Sequence, residues 1–368
     1  MLIQAVAQNV SESQPSRALV FEDASLQLTA GLAGVCKLAS ITACRRLLSM
    51  DNQLPAIPNL TVLNAAYPST NQSFDVVLLP IPKGRQYSRL LIAAAYQLLV
   101  PNGRLYLVGQ TKLGAKTIIK DAAQCFGNSE TLITKKHCRV AYCIKTDVVS
   151  RPTDWMLIPG NTPGSTHQYT FKHQRQDITI QTQPGVFSYD DLDPATALLL
   201  DHMTVKPGEC VWDVGCGAGP IGITAAYQGA AHVRLSDVDY HALRLAMLNL
   251  AKHDLVDKTD IYAATSLGIQ HRLSLGVQGQ VKLSPLPDES KTFDLIVTNP
   301  PFHSQHEHDT RMLKHLLGAA RDHLSDTGRL LVVANAFLPY PRMFAKASFT
   351  HEILAETASF RLYQATPK

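Results

Sequence analysis

Unbroken apolar runs, each closed by a turn, set the rhythm of this chain. Phe293-Asp-Leu-Ile-Val-Thr reads as a buried strand, and Asn299-Pro300-Pro301-Phe302 follows it directly. Two prolines in succession neither continue a sheet nor start a helix, so the chain turns out of the strand with Asn299 at its carboxyl end. Cys210 to Val214, His232 to Asp237 and Asp260 to Thr265 read as further strands, with helices expected from Gly219 and from Tyr240. Strands alternating with helices predict a doubly wound α/β sheet.

The first half repeats this layout: Phe74-Asp-Val-Val-Leu-Leu-Pro, a helical stretch, then Gly103-Arg-Leu, against Phe293 onward, a helical stretch, then Gly328-Arg-Leu. Two α/β domains are expected, residues 1–150 and 185–368, joined by 151–184. Within that connection Gln168-Tyr-Thr-Phe-Lys-His and Asp177-Ile-Thr-Ile-Gln-Thr alternate polar and apolar residues, as a hairpin does. Residues 266–291 exceed an ordinary strand connection; a surface excursion is expected there, ahead of a lid over a substrate.

Composition changes this picture little. A chain of 368 residues has room for two domains, and 45% apolar with 17% charged residues supplies their cores. The first residues lack a basic segment followed by an apolar one and no run is long enough to span a membrane, so the cytoplasm is the expected location. Seven cysteines without a CxxC pair indicate neither a disulfide framework nor a zinc knuckle. Charge says more. Residues 1–150 carry 15 Lys and Arg against 8 Asp and Glu, whereas 151–368 carry 19 against 22.

The chemistry starts from Asn299. Its side-chain carbonyl and that of the Pro300 backbone can together accept both hydrogens of a planar exocyclic amine, turning the nitrogen lone pair out of conjugation and toward an electrophile. Phe302 offers a flat face to a base. In isolation the tetrapeptide would be read as a stiff turn. Upstream, however, Val211-Trp-Asp-Val-Gly-Cys-Gly-Ala-Gly-Pro-Ile-Gly places Gly215, Gly217 and Gly219 where a backbone can approach a ligand at a helix start. Gly217, Gly219 and Gly222 also satisfy GxGxxG, so this loop alone does not separate S-adenosylmethionine from a dinucleotide. Asp237 lies 22 residues beyond Gly215, near the ~20-residue offset of a carboxylate that takes ribose hydroxyls. Its other reading is the N-cap of the helix from Tyr240, a role for which Asp239 competes. The third strand would set Ala264 and Thr265 beside an adenine ring.

With PGVFSYDDLDPATALLL from Pro184, the glycine loop, FDLIVTNPPFH, GRLLVVANAFLPYP and the final FRLYQA, the chain resembles the bacterial guanine-N2 methyltransferases of 16S, or small-subunit, ribosomal RNA that form type C, relatives of the 23S guanine-N2 enzymes. The resemblance covers residues 184–367 strongly and the first 150 in layout only. VANAFLPYP is more like the 16S members, and the His-Ser-Gln-His after Phe302 more like the 23S ones. Beside this, the repeated layout of the first half reads as a degenerate copy, with Leu79-Pro80-Ile81-Pro82 in place of Asn-Pro-Pro-Phe, so two tandem Rossmann-like methyltransferase domains are expected, the second catalytic; likeness by architecture alone is the other reading.

The family resemblance implies that Asp213, Gly215, Gly217 and Gly219 line the methionine side of S-adenosylmethionine, with Cys216 a neighbour given no chemistry. Asp237, with Val238 beside it, would hold the ribose; Thr265 would lie near the adenine, and Gly185 to Phe187 would form part of the entrance. Asn299, against the cofactor, would hold the guanine with Pro300 and Phe302. The implied product is N2-methylguanosine in 16S RNA of the 30S subunit, at guanine 1207, made by a monomer that uses no metal and no membrane and releases S-adenosylhomocysteine.

Phosphate neutralisation supplies most sequence-independent RNA affinity, so the basic first domain is expected to grip RNA through Lys83, Arg85, Lys112, Lys116, Lys135, Lys136 and Arg139; a solvated, solubilising face is the other reading. His303, His306 and His308 invite a metal reading, but methyl transfer from a sulfonium needs no metal; a solvated loop is preferred, with contact to RNA or the guanine next and metal last. Three rivals stand: the same enzyme class on 23S guanine, adenine N6 or a protein glutamine; an NAD-dependent oxidoreductase, on GxGxxG alone; and a non-catalytic RNA-binding assembly factor.

Overall fold

The computed structural model describes residues 2–9, 16–48, 56–69, 72–146, 152–265, 268–275, 281–284, 292–300 and 306–368. Pro301, Phe302 and His303 lie outside the described residues. The chain divides into two compact units, Met1–His167 with Gln183–Gly185, and Gln168–Thr182 with Val186–Lys368.

The first unit contains β1 (Ser16–Val20), β2 (Leu38–Cys44), β3 (Leu60–Leu63), β4 (Phe74–Pro80), β5 (Leu99–Gln110), β6 (Glu130–Lys135) and β7 (Cys138–Ile144), with helices α1 (Leu2–Asn9), α2 (Gln27–Ala33), α3 (Arg85–Leu98) and α4 (Ala115–Phe126). The sheet order is β3-β2-β1-β4-β5-β7-β6, parallel except where β7 runs against both neighbours. Alternate residues of one strand enter different cores: Val77 and Leu79 of β4 join one cluster, Val76 and Leu78 the other. A strand covered on both faces has no polar side to show, which is why these runs lack alternation.

The second unit opens, from Gln168, within a hairpin of β8 (His167–His173) and β9 (Gln176–Thr182). Its main sheet comprises β10 (Cys210–Val214), β11 (His232–Asp237), β12 (Thr259–Thr265), β13 (Gly268–Leu275), β14 (Val281–Ser284), β15 (Phe293–Thr298), β16 (Leu324–Asn335), β17 (Phe349–Glu356) and β18 (Phe360–Pro367). The helices are α5 (Pro194–His202), α6 (Pro220–Tyr227), α7 (Tyr240–Lys252), α8 (His306–His323) and α9 (Tyr340–Lys346). The order β14-β13-β12-β11-β10-β15-β16-β18-β17 repeats that of the first unit, with β13 and β14 added at one edge.

Those two strands correct the expectation for residues 266–291. In place of a surface excursion, β13 pairs antiparallel with β12 and β14 with β13, so the backbone groups of β12 that would form an open edge are paired. Of the three histidines expected in a loop, His306 and His308 lie in α8, which starts at His306. The repeated Gly-Arg-Leu has a geometric cause. A Cβ at Gly103 would stand 2.8 Å from the Val100 carbonyl oxygen, and one at Gly328 would stand 2.7 Å from that of Phe293, so this crossover demands glycine in both units.

In the first unit the carboxyl ends of β1 and β4 are occupied by side chains. The Tyr87 hydroxyl donates to Glu22 at 2.5 Å, and the Arg46 guanidinium lies 4.4 Å from the centre of the Tyr87 ring. Asp23 caps α2 by accepting from the Thr29 backbone N–H at 2.7 Å. A glycine loop has no counterpart there. Among the described residues no helix is long and apolar enough to cross a membrane.

Candidate active site

The site is built at the carboxyl edge of four neighbouring strands, β12, β11, β10 and β15. Asp213, in β10, is fully buried, and its Oδ2 accepts the N–H of Gly222 in the first turn of α6 at 2.9 Å. The N-cap of that helix is Gly219, at φ 92, which has no side chain to cap with, so the strand carboxylate does the capping. The other oxygen of Asp213 has no partner among the described residues.

The glycines divide their labour. A Cβ on Gly222 would stand 2.8 Å from Leu235 Cδ2, so this position lets α6 lie close on β11. Gly215 and Gly217, at φ 74 and 55, would have nothing within 4 Å of an added Cβ, and the space beside them is open. The loop is stapled to β11: the N–H groups of Gly215 and Cys216 donate to the Ser236 carbonyl at 2.8 and 3.0 Å, and that of Gly217 donates to Asp237 Oδ2 at 2.9 Å.

The second oxygen of Asp237 accepts the Asp239 N–H at 3.0 Å, while Asp239 accepts from the His241 N–H at 2.9 Å and so caps α7. The competition between the two acids is thereby divided: Asp239 serves the helix and Asp237 the loop. Burial, with the charge of Asp239 adding to it, pushes the Asp237 carboxyl up to about 6. Burial likewise pushes Asp213 up to about 8, against the opposing hydrogen bond from Gly222 and with the charge of Asp237 raising it further. The Cys216 thiol is raised well above its ordinary value by burial, which makes it a poor nucleophile. Val238 is partly exposed, Thr265 is half-buried at the end of β12, and Phe187 stands 64% exposed. Gly185 belongs to the first unit, where its carbonyl accepts from Arg46.

Asn299 follows β15, whose Thr298 hydroxyl donates to the Val214 carbonyl at 2.7 Å and ties it to the end of β10. The Asn299 Nδ2 donates to Asp193 Oδ2 and to Thr196 Oγ1, both at 2.9 Å. Its Oδ1 is buried without a partner among the described residues, and Pro300 is buried after it. Reading the sequence missed Asp193 and Thr196. Asp-Pro does signal a helix start, but nothing local tells which residue the capping acid also holds.

Asn249 was missed too. Fully buried in α7, it accepts from the Gln181 N–H at 2.7 Å and donates to the Gln181 carbonyl at 2.8 Å and the Ala218 carbonyl at 2.9 Å, joining hairpin, helix and glycine loop. Its only sequence signal is a lone amide in an apolar helical stretch.

The basic candidates of the first unit divide as well. Lys112, Lys116, Lys135 and Lys136 are exposed, and the Thr111 N–H donates to the His137 carbonyl at 2.8 Å, which draws the turn after β5 to the tip of the β6–β7 hairpin. Arg139 is half-buried in that hairpin, and Lys83 is exposed in the turn after β4. Arg85 instead pairs with Asp121 at 2.8 Å, an acid it shares with Arg89.

Residues 177–364 match the family described as the methyltransferase small domain, and residues 4–157 match its N-terminal companion, the methyltransferase small domain N-terminal. The chain is 31% identical over 306 residues to the ribosomal RNA small subunit methyltransferase C of Pseudomonas entomophila, a match covering 80% of each chain. This chain belongs to the ribosomal RNA small subunit methyltransferase C family. The protein of that name from Pseudomonas fluorescens is 30% identical over 344 residues, covering 86% of this chain and 92% of that one. Among solved structures, the T. thermophilus 16S rRNA N2 guanine-1207 methyltransferase, determined with AdoMet and guanosine, aligns with a TM-score of 0.72 at 23% identity over 100% of this chain and 92% of that one, which shows a shared fold. Membership in a methyltransferase C family sets the oxidoreductase reading of GxGxxG aside.

Proposed function

We propose that this chain methylates the exocyclic N2 amine of a guanine in 16S ribosomal RNA, at guanine 1207 as in the name of the T. thermophilus protein, acting on the 30S subunit in the cytoplasm. The observation that carries the reading is the Asn299 amide, whose Nδ2 is taken up by Asp193 and Thr196 and whose buried Oδ1 is unpartnered among the described residues. A buried carbonyl oxygen left without a donor costs about 1–3 kcal/mol, which a ligand N–H at that point recovers.

S-adenosylmethionine supplies a methyl group on a sulfonium and leaves as S-adenosylhomocysteine. The residues present fit it. The room beside Gly215 and Gly217 and the orphaned Asp213 oxygen suit a ligand carrying N–H donors, and Asp237 with Val238, Thr265 and Phe187 would take its ribose, adenine and mouth. Asn299 and the Pro300 carbonyl draw the two amine hydrogens into their planes and aim the nitrogen lone pair. Stacking on the base is the role assigned to Phe302 from its place in the sequence after Asn299 and the two prolines. Fixing that orientation is the main source of acceleration. No general base is compelled, because the pKa of the amine collapses as its new bond forms and carbonyl acceptors or water take the proton. The first unit contributes affinity: Lys112, Lys116, Lys135 and Lys136 neutralise RNA phosphates, with Lys83 and Arg139 beside them and Arg85 held back by Asp121.

Tritiated methyl transfer to separated 30S and 50S particles lacking their own modification, followed by nucleoside analysis, tests this. N2-methylguanosine in 16S RNA, lost with Asn299→Ala, is expected. Label confined to 23S RNA would overturn the particle, and label on another atom would overturn the chemistry.

A further inference from the structure

We propose that Asp193, with Thr196, is a positioning residue that decides which end of the Asn299 amide faces the substrate, so that the site takes a ligand N–H and refuses a ligand carbonyl. The inference rests on the reading of Asn299 given above. The two ends of an asparagine amide have nearly the same shape, and nothing in its own backbone prefers one over the other. A carboxylate only accepts. With Asp193 Oδ2 placed 2.9 Å from the amide, turning Asn299 over would set two acceptors against each other. Thr196 Oγ1, also at 2.9 Å, takes the second hydrogen of Nδ2, so both donors are spent inside the protein and only Oδ1 is left to offer.

The clamp is itself rigid. Asp193 is the N-cap of α5, its Oδ2 also accepts the Thr196 N–H at 2.8 Å, and Pro194 holds the first helical position. One carboxylate oxygen therefore starts a helix and orients the amide 106 residues away in sequence. A substrate that presented a carbonyl at this point would meet Oδ1 with no hydrogen between them. A guanine offering its amine meets the acceptor it needs.

The test uses the full-length enzyme on unmodified 30S particles, with Asp193→Ser and Asp193→Asn made in both the wild-type and Asn299→Ala backgrounds. Serine keeps a helix cap but is too short to reach Asn299; asparagine keeps an acceptor oxygen at the same reach. Losing the charge-assisted hydrogen bond in Asp193→Ser should lower kcat about 10- to 100-fold while leaving the KM for S-adenosylmethionine and the melting midpoint near wild type. Asp193→Asn should restore kcat to within about fivefold of wild type. In the Asn299→Ala background neither substitution should lower kcat further, because Asp193 acts through Asn299.

A wild-type kcat in Asp193→Ser overturns the proposal, as does an undiminished fall in the Asn299→Ala background. If Asp193→Ser does not fold, Thr196→Val against Thr196→Ser poses the same question, with loss in the first and recovery in the second. An Asn299→Ala enzyme with wild-type kcat would remove the reading of the site itself, separately from the role of Asp193.

Discussion

Asn249→Asp changes one atom of a fully buried side chain and should cost this protein much of its stability near neutral pH. In the native enzyme Oδ1 accepts one N–H at 2.7 Å, while Nδ2 donates to two carbonyls at 2.8 and 2.9 Å. A carboxylate keeps the first bond and sets an acceptor against both carbonyls. The alternative is to protonate. Holding a buried carboxyl neutral at pH 7 against a reference pKa of ~3.9 costs about 4 kcal/mol, at about 1.4 kcal/mol per unit. The neutral acid has one hydrogen for two carbonyls, which leaves one unsatisfied at about 1–3 kcal/mol. The sum is about 5–7 kcal/mol at pH 7, comparable with the whole stability of many domains.

The sign is definite. A carboxyl whose folded pKa is raised loses stability as pH rises from the unfolded pKa through the folded one, so the penalty should shrink by about 1.4 kcal/mol per unit as pH falls from 7 toward 4. Denaturant midpoints of Asn249→Asp, Asn249→Ala and wild type, followed by circular dichroism at pH 5 and 7.5, measure it. The Ala variant should be destabilised alike at both pH values. A penalty under ~2 kcal/mol at pH 7.5, or one no steeper in pH than that of the Ala variant, would refute the hydrogen-bond assignment.

Three further outcomes are expected. Gly222→Ala forces a Cβ to 2.8 Å from buried Leu235 and should destabilise by about 1–3 kcal/mol, part of which Leu235→Val should recover in a thermal melt. Asp213, pushed up to about 8 by burial, contributes stability that is complete below ~4 and is lost as pH rises through about 8. Asp213→Asn should therefore gain melting temperature on the ligand-free wild type as pH goes from 5 to 8.5, and a constant difference would contradict the raised carboxyl. Reversing Lys112, Lys135 and Lys136 to Glu should weaken RNA binding and flatten its salt dependence by up to about one unit of slope for each phosphate no longer neutralised; an unchanged slope would remove the RNA role of that face.

What the sequence determined by itself is what depends on near neighbours. Unbroken apolar runs marked β4, β10 and β15 because strands covered on both faces have no polar side, and β15 ends at Thr298, directly before Asn299 and Pro300. Glycine spacing located the loop after β10, and the paired Gly-Arg-Leu segments marked a crossover whose geometry forbids a Cβ in either unit. The resemblance of residues 184–367 to a known family supplied the reaction, which the glycine loop alone left open.

Tertiary structure decided how partners far apart in sequence are paired. Asp193 and Thr196 reach Asn299 across more than a hundred residues, Asn249 reaches Gln181 across 68, and Arg85 is drawn off to Asp121. The division between Asp237 and Asp239 and the pairing of β13 and β14 onto β12 were settled there as well. Hydrophobic periodicity and turn chemistry act over a few residues and are written in local order. A buried hydrogen bond exists only once the sheet order has brought its two ends within about 3 Å, and no local pattern carries that order.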